Sequence, residues 1–510
     1  MTENKYTLLQ EIQKFERDAI QNGFSEKAIF SMIGALDKKY ERSAEYELNI
    51  NGIICNIGAD LKYIRLLNYA AKRLRGLLSK QVVEKYLYDL GTTVLCIAEL
   101  ENPHPYKIQI LISNSKFNEA KTYYERILRT DRYFTRAIIN SSNILEKYGR
   151  NLESIYLYDE AIRINPGYGM ALGNKAQAIE YYVRLCPSVS LRLIYLAYSL
   201  YDKALKDSSV EYIGGLGVGG MFLERKERLL SILDRNHYNV SNLCVAPESL
   251  SDYEKFCINK NLYLNYDFGY YYDDKSVLDN FSPSFIVSLK ESPNKRTGVM
   301  SESVYFAFNV FNQILELYTT ARLSYFDAIT SDYSHLDKMV AYTYTYDYTK
   351  HSHKYGILKT VLSTLYNCLD KVAHLMHYYF VGFDAKGLQD IYFKWFLSES
   401  YKEIVIRQND YQLLALRDMA LDFEKGRRYY YLNRIRNRIT HSFLNINIEI
   451  DYNDEYVEYE ITESALDDAV DKMFLIVKAA IMYTVIALGN QNHEGKVFPM
   501  QATLEKDIFF

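Results

Sequence analysis

Proline is scarce, with 8 copies in 510 residues. Proline removes a backbone donor and breaks helices. Its rarity, together with long windows of apolar residues at three- and four-residue spacing, predicts a mostly helical chain. Cysteine is sparse too. Cys55, Cys96, Cys186, Cys244, Cys257 and Cys368 form no C-x-x-C pair and no evenly spaced framework, which excludes a sequence-legible disulfide scaffold and fits reduced core thiols of an intracellular protein. There is no excess of positive charge. Net charge is −4 and the pI about 6.2, so nothing global draws the chain to nucleic acid or anionic lipid, and any such contact needs a local basic patch. The most apolar window, residues 473–488, contains Lys478 and is shorter than the roughly 20 residues that cross a bilayer. A buried core helix is expected there. The opening Met-Thr-Glu-Asn-Lys is polar and lacks the apolar centre of a secretory signal, so a cytoplasmic location without membrane attachment is expected.

What is present is an ordinary globular composition, 48% hydrophobic and 24% charged, on a chain longer than a single core usually supports, which suggests roughly two to four domains. Residues 117–182 hold an internal repeat with a 34-residue offset. Glu119-Ala120 align with Glu153-Ser154, Tyr124 with Tyr158, Ile127 with Ala161, Arg129 with Arg163, Ala137 with Ala171 and Asn140 with Asn174. With Tyr158, Ala161 and Pro166 at the spacing of a second helix and its turn, this period resembles tetratricopeptide repeats. Two such units cannot bury their faces alone, so the helical patterns at 60–100 and 190–206 are the natural neighbours, and a helical solenoid is expected over 1–210. Its concave surface is either a site for a protein or peptide partner or a scaffold only.

The run Gly214–Gly220 contains a G-x-G-x-x-G spelling at Gly215, Gly217 and Gly220. Helical repeat precedes it where a dinucleotide site needs a buried strand, so it is read as a breaker and no cofactor is expected. Residues 211–300 are read as a connector and 491–510 as a tail. Between them, 301–490 turns strongly helical. Phe311, Ile314, Leu315 and Tyr318 mark one helix. Leu358, Val361, Leu362, Leu365, Leu369, Val372, Met376 and Tyr379 mark a second. A third pattern runs from Tyr411 through Ile439 with a break near Gly426. The last, from Ser464 to Leu488, carries Leu466, Val470, Met473, Val477, Ile481 and Val485 on one stripe. Between the last two, alternation at 446–450 and 456–461 around Asn453-Asp454 predicts a small β-hairpin. The expected class is therefore all-α, a repeat solenoid followed by a helical bundle with a small hairpin.

Chemistry concentrates in Asn433-Arg-Ile-Arg-Asn-Arg-Ile-Thr-His441, where Arg436-Asn437-x3-His441 sits near the end of a helix. On these residues, with Leu369-Asp370-Lys371-Val372-Ala373, Trp395, Asn409 and Leu413–Asp418 as supporting features, 301–490 resembles a HEPN domain, of the branch in which tetratricopeptide-like repeats precede the bundle. The family's R-x4–6-H motif, with a polar residue after the arginine, maps onto Arg436, Asn437 and His441. The resemblance implies metal-independent cleavage of RNA at a site formed between two protomers, and a regulated toxin or antiviral defence effector. Arg434 stands seven before His441 and is a rival for the motif arginine.

The residue types suit that reaction. Attack by the RNA 2′-hydroxyl needs proton transfer near neutral pH, the natural task of a histidine. Charge grows on the phosphoryl oxygens, which a guanidinium grips with two parallel hydrogen bonds. Asn437 both donates and accepts, so it can orient His441 or the phosphate. Five residues along a helix turn a side chain by about 140°, so Arg436 and His441 lie on different flanks and a two-fold pair of chains makes the better site. Arg427, Arg428, Arg434 and Arg438 interleave with Tyr429, Tyr430 and Tyr431, a local basic and aromatic density suited to single-stranded RNA. A solvated charged helix with its tyrosines packed inward is the plainer reading. Asp370, His374 and His377 share a helix face at ligand-like spacing, but no fourth ligand is evident and two core-edge histidines with a hydrogen-bonding aspartate are expected. His351 and His353 fall in a polar loop and carry little information. The alternative function is a non-catalytic adaptor, in which the repeats bind a partner and the bundle only dimerises.

Overall fold

A computed structural model of the protein describes residues 2–185, 191–215, 217–238, 250–264, 279, 302–343, 348–382, 390–447 and 459–489. Helices dominate, as the scarcity of proline predicts, and the chain divides into two units. One comprises Met1–Tyr148, Ser154–Lys175 and Lys203–Leu216; the other comprises Gly149–Glu153, Ala176–Asp202 and Gly217–Phe510.

In the first unit, helices Ala44–Asp60, Ile64–Leu78, Glu84–Leu100, Ser115–Thr130 and Thr135–Lys147 are linked as a solenoid. Each packs on the one after it. Ser25, Ser43 and Asn114 cap helix starts by accepting backbone N–H bonds. The buried Arg73 donates to Glu47 at 2.8 Å and to both oxygens of Asp37 at 2.9 and 3.1 Å, so one guanidinium ties together Glu26–Lys39, Ala44–Asp60 and Ile64–Leu78. Gly91 lets two helices close up, because a Cβ there would lie 2.9 Å from the Tyr124 ring. Tyr124 and Tyr158, paired by the 34-residue offset, are both fully buried. Their hydroxyls are used differently: Asn140 donates to Tyr124, whereas Tyr158 donates to Asn143.

The second unit is built on an antiparallel pair, Glu302–Thr330 and the central helix His353–Val381. Phe306 stands against Tyr378 with ring centroids 4.5 Å apart, while Lys371 reaches Gln313 at 2.9 Å, so the numbering runs in opposite directions. The terminal helix Glu463–Gly489 packs on the central helix and on Tyr411–Leu421. It is long and apolar enough to cross a membrane by length and composition, yet 83% of its apolar window is buried inside the protein. A helix apolar on every face belongs in a core. Arg225 and the Tyr201 hydroxyl both donate to Glu180, so Val218–Arg235, in the stretch expected to be a connector, is a packed helix of this unit, and 176–202 groups with it. Gly215 and Gly217, with φ of +94° and +88°, break the chain just before that helix. Beyond Leu264, the connector lies outside the described residues except for Asp279, and the tail at 491–510 lies outside them too.

The expected hairpin is corrected. Strand β1 (Thr349–Lys350) pairs antiparallel with β2 (Asn445–Asn447), and β2 pairs parallel with β3 (Glu460–Thr462), Ile446 opposite Ile461. Alternation of polar and apolar residues reads the same in either strand direction, so periodicity did not settle it; both isoleucines are buried. The Asn453-Asp454 turn lies outside the described residues.

The second unit closes around Arg150, which is 0% exposed. Its guanidinium binds Glu153 at 2.6 and 2.8 Å, Asp418 at 2.6 Å and Asp422 at 2.5 Å. Next to it Gly149 has φ +78°, and a Cβ there would fall 2.3 Å from the Tyr411 carbonyl oxygen, so only glycine brings the arginine this close. Arg150→Met should therefore leave three buried carboxylates without their cation and cost about 3–5 kcal/mol of stability at pH 7. The loss should shrink at mildly acidic pH as the orphaned carboxylates take up protons. Urea unfolding of variant and parent at both pH values checks this; a loss below about 1 kcal/mol would contradict it.

Lys478 is buried in the terminal helix, where Nζ donates to the Asn261 carbonyl and side-chain oxygens at 3.2 and 2.9 Å. Burial pushes its pKa down to about 7, opposed by Asp279 and aided by Arg322. An unfolded lysine keeps its proton to about pH 10.4. Between these values the unfolded chain binds more protons, so this site makes stability rise with pH through that window and imposes its full penalty below it. The stability of Lys478→Met relative to the parent should therefore fall from pH 7 to pH 9.5. A pH-independent difference between their urea midpoints would show the lysine to be charged inside the fold.

Candidate active site

The motif lies on the helix Tyr430–His441, one side of which is set by Leu432 and Ile435, both buried. The helix packs on the central helix through that side. It carries Arg434, Arg436 and Arg438 with no acidic residue, and its last turn ends on Arg438 and His441, which favours a helix C-terminus. Upstream, Gly426 with φ +81° turns the chain between Tyr411–Leu421 and this helix, and the Tyr429 N–H donates to the Asp422 carbonyl at 2.7 Å. Downstream, Lys359 of the central helix donates to the Leu444 carbonyl at 2.6 Å, fixing where the chain leaves the helix for β2. Burial lowers the Lys359 pKa.

Arg436 is held at its root. Its guanidinium carbon lies 5.8 Å from the centre of the Tyr366 ring, within cation–π range. Nη1 donates to Asn437 Oδ1 at 3.1 Å, and Asn437 Nδ2 donates to Asn433 at 3.3 Å. Four residues from Tyr366 on the central helix stands Asp370. Burial pushes its carboxyl up, opposed by the Phe393 N–H at 2.8 Å and by the charges of Arg436 and His374. The Tyr366 hydroxyl is buried without a hydrogen-bond partner among the described residues. Burial raises its pKa, with Arg436 opposing.

The His441 side chain is exposed and makes no hydrogen bond with the described residues, and none links it to Arg436. The arginine thus faces the central helix while the imidazole faces solvent, as their spacing around a helix implies. The Arg434 side chain is half-buried with no hydrogen bond or ion pair among the described residues, so of the two candidate motif arginines Arg436 is the one whose guanidinium is positioned. Arg427 and Arg428 are half-buried, the latter 5.2 Å from the Tyr429 ring centre. Tyr429 itself points inward, its hydroxyl 3.4 Å from Glu153. Arg438 lies over Tyr459 at 4.0 Å.

Asp370, His374 and His377 serve separate partners. Asp370 accepts from Phe393, His374 Nε2 is 2.7 Å from the Ile391 carbonyl, and His377 meets Trp395 edge-on at 5.1 Å. Burial lowers the His377 pKa. Among the described residues no cluster of three or more His, Cys, Asp or Glu could hold a metal ion. Three participants were missed from sequence: Tyr366, Phe443 and Tyr459. Tyr366 had a signal, standing one helical turn before Asp370, and Phe443 follows His441 by two residues; Tyr459 reaches the motif only through the pairing of β2 with β3.

The chemical capacity is a fixed cation, a solvent-facing imidazole one and a half turns on, and a belt of arginines around them. No curated protein and no solved structure matches the chain. Residues 299–491, less than half of the chain but containing the whole motif helix, match the family model described as LA2681-like HEPN, so this part of the chain is similar to a HEPN domain.

Proposed function

We propose that the protein is a metal-independent endoribonuclease, active as a homodimer through its C-terminal unit. The supporting observation is that Arg436-Asn437-x3-His441 falls inside the matched HEPN span, on a helix end where the arginine is anchored and the histidine is open to solvent. His441 takes the proton from the RNA 2′-hydroxyl as O2′ attacks phosphorus, the P–O5′ bond breaks, and the imidazolium returns that proton to the departing 5′-oxygen. The products are a 2′,3′-cyclic phosphate and a 5′-hydroxyl. Arg436 grips the phosphoryl oxygens as their charge grows, and Asn437 orients its guanidinium through the 3.1 Å bond. Arg427, Arg428, Arg434 and Arg438 hold flanking phosphates. Two copies about a two-fold axis bring both motif pairs to one cleft. The repeats serve a protein or peptide partner, and the whole acts in the cytoplasm as a regulated toxin or antiviral defence effector.

His441→Ala should reduce cleavage of a mixed RNA pool in EDTA by about a hundred- to ten-thousandfold. Arg436→Ala should do the same, whereas Arg428→Ala should mainly weaken binding and lower its salt dependence. His441 is exposed, so its replacement should barely move the melting temperature, whereas Arg436→Ala also removes the contact with Tyr366 and should lower it modestly. Wild-type cleavage by His441→Ala would make the motif coincidental and favour the adaptor reading. Light scattering should show a dimer or a multiple of it. A strictly monomeric species that still cleaves RNA would sink the shared cleft.

A further inference from the structure

Directly past the motif helix, three flat groups stack. Phe443, 57% exposed, lies parallel to Tyr459 with ring centroids 4.8 Å apart and planes 14° from parallel. Arg438 lies over the same tyrosine at 4.0 Å. One ring face has room for one planar group at such spacing, so arginine and phenylalanine occupy opposite faces and form a ladder with Tyr459 in the middle. The ladder is braced by the backbone, because the Asn445 N–H donates to the Tyr459 carbonyl at 2.8 Å, and Leu444, between them, is buried and its carbonyl held by Lys359.

A large aromatic two residues after His441, already stacked on one side and open on the other, is poorly explained by packing. Leu444 next to it fills the core instead. The adjoining helix offers three arginines and no carboxylate, which complements a phosphate backbone. Every nucleobase has a flat face, and stacking on an exposed aromatic accepts any base that is not already paired. We infer that Phe443, stacked on Tyr459 and backed by Arg438, is a nucleobase platform that takes an unpaired base beside the phosphate presented to His441, so that the preferred substrate is single-stranded RNA. The inference rests on the ribonuclease reading and deepens it. Phe443 is a binding and positioning residue, with no part in proton transfer.

The test uses the full chain carrying His441→Ala, which prevents turnover, and a short single-stranded RNA with one 2-aminopurine, whose fluorescence is quenched on stacking. Adding Phe443→Ala should weaken binding by about 5- to 150-fold, the worth of one stacked base. It should also abolish the quench at the best label position and leave the salt slope of binding unchanged, while Phe443→Trp keeps both affinity and quench. A blunt duplex of the same sequence should bind equally to all three. Unchanged affinity in Phe443→Ala, or a loss that tracks dissociation of the dimer in light scattering, would overturn the platform. If the parent cleaves RNA and Phe443→Ala does so with unchanged KM, only the platform falls; if the parent neither binds nor cleaves RNA, the ribonuclease reading falls with it.

Discussion

The C-terminal unit depends on one buried cation. Arg150 is enclosed by Glu153, Asp418 and Asp422, all within hydrogen-bond reach. Three carboxylates and one guanidinium in a dry interior are tolerable only with close, charge-assisted hydrogen bonds, since desolvation otherwise outweighs attraction. That requirement propagates. Asp422 ends the helix Tyr411–Leu421, and its carbonyl takes the Tyr429 N–H that starts the motif helix. Tyr429 and Tyr483 both direct hydroxyls at Glu153. The direction of the motif helix and the seat of the terminal helix are thus set by the same cluster.

Charge is arranged with opposite sense inside and outside. Around Arg150 the interior is acidic, and all three carboxylates bind the one guanidinium. On the motif helix every charged side chain is basic. A chain of net charge −4 therefore presents a local cationic surface on the motif helix. Arg436 is the bridge between the two regimes, rooted over a buried phenol near a buried carboxyl and continuing through Asn437 to the exposed last turn. An anchored guanidinium loses less entropy on meeting an anion than a mobile one does, and His441 is left exposed.

Much of the helical architecture was legible because helix signals are local. Three- and four-residue apolar spacing placed Glu302–Thr330, His353–Val381 and Glu463–Gly489, and Gly426 marked the break before the motif helix. Helix Val210–Gly214 lies directly upstream of the G-x-G-x-x-G spelling, where a dinucleotide site has a strand. Strand direction was not legible. Nothing in the alternation around Ile446 and Ile461 distinguishes parallel from antiparallel pairing, and the recruitment of Thr349–Lys350, almost a hundred residues away, has no local signal. The helical character of Val218–Arg235 was hidden by the glycine run before it and the irregular stretch after it.

The helices, the apolar core stripe of the terminal helix, and the order Arg436, Asn437, His441 on one helix all follow from residue type and a fixed rotation per residue. Only the tertiary structure decided what those side chains meet. Arg436 sits over Tyr366, seventy positions earlier; Arg438 and Phe443 meet across Tyr459, brought beside them by a strand pairing; and Arg150 finds two of its three carboxylates, Asp418 and Asp422, more than 260 positions away. Contacts at such separations depend on which cores close together, and packing is a property of the whole unit that no window of residues contains.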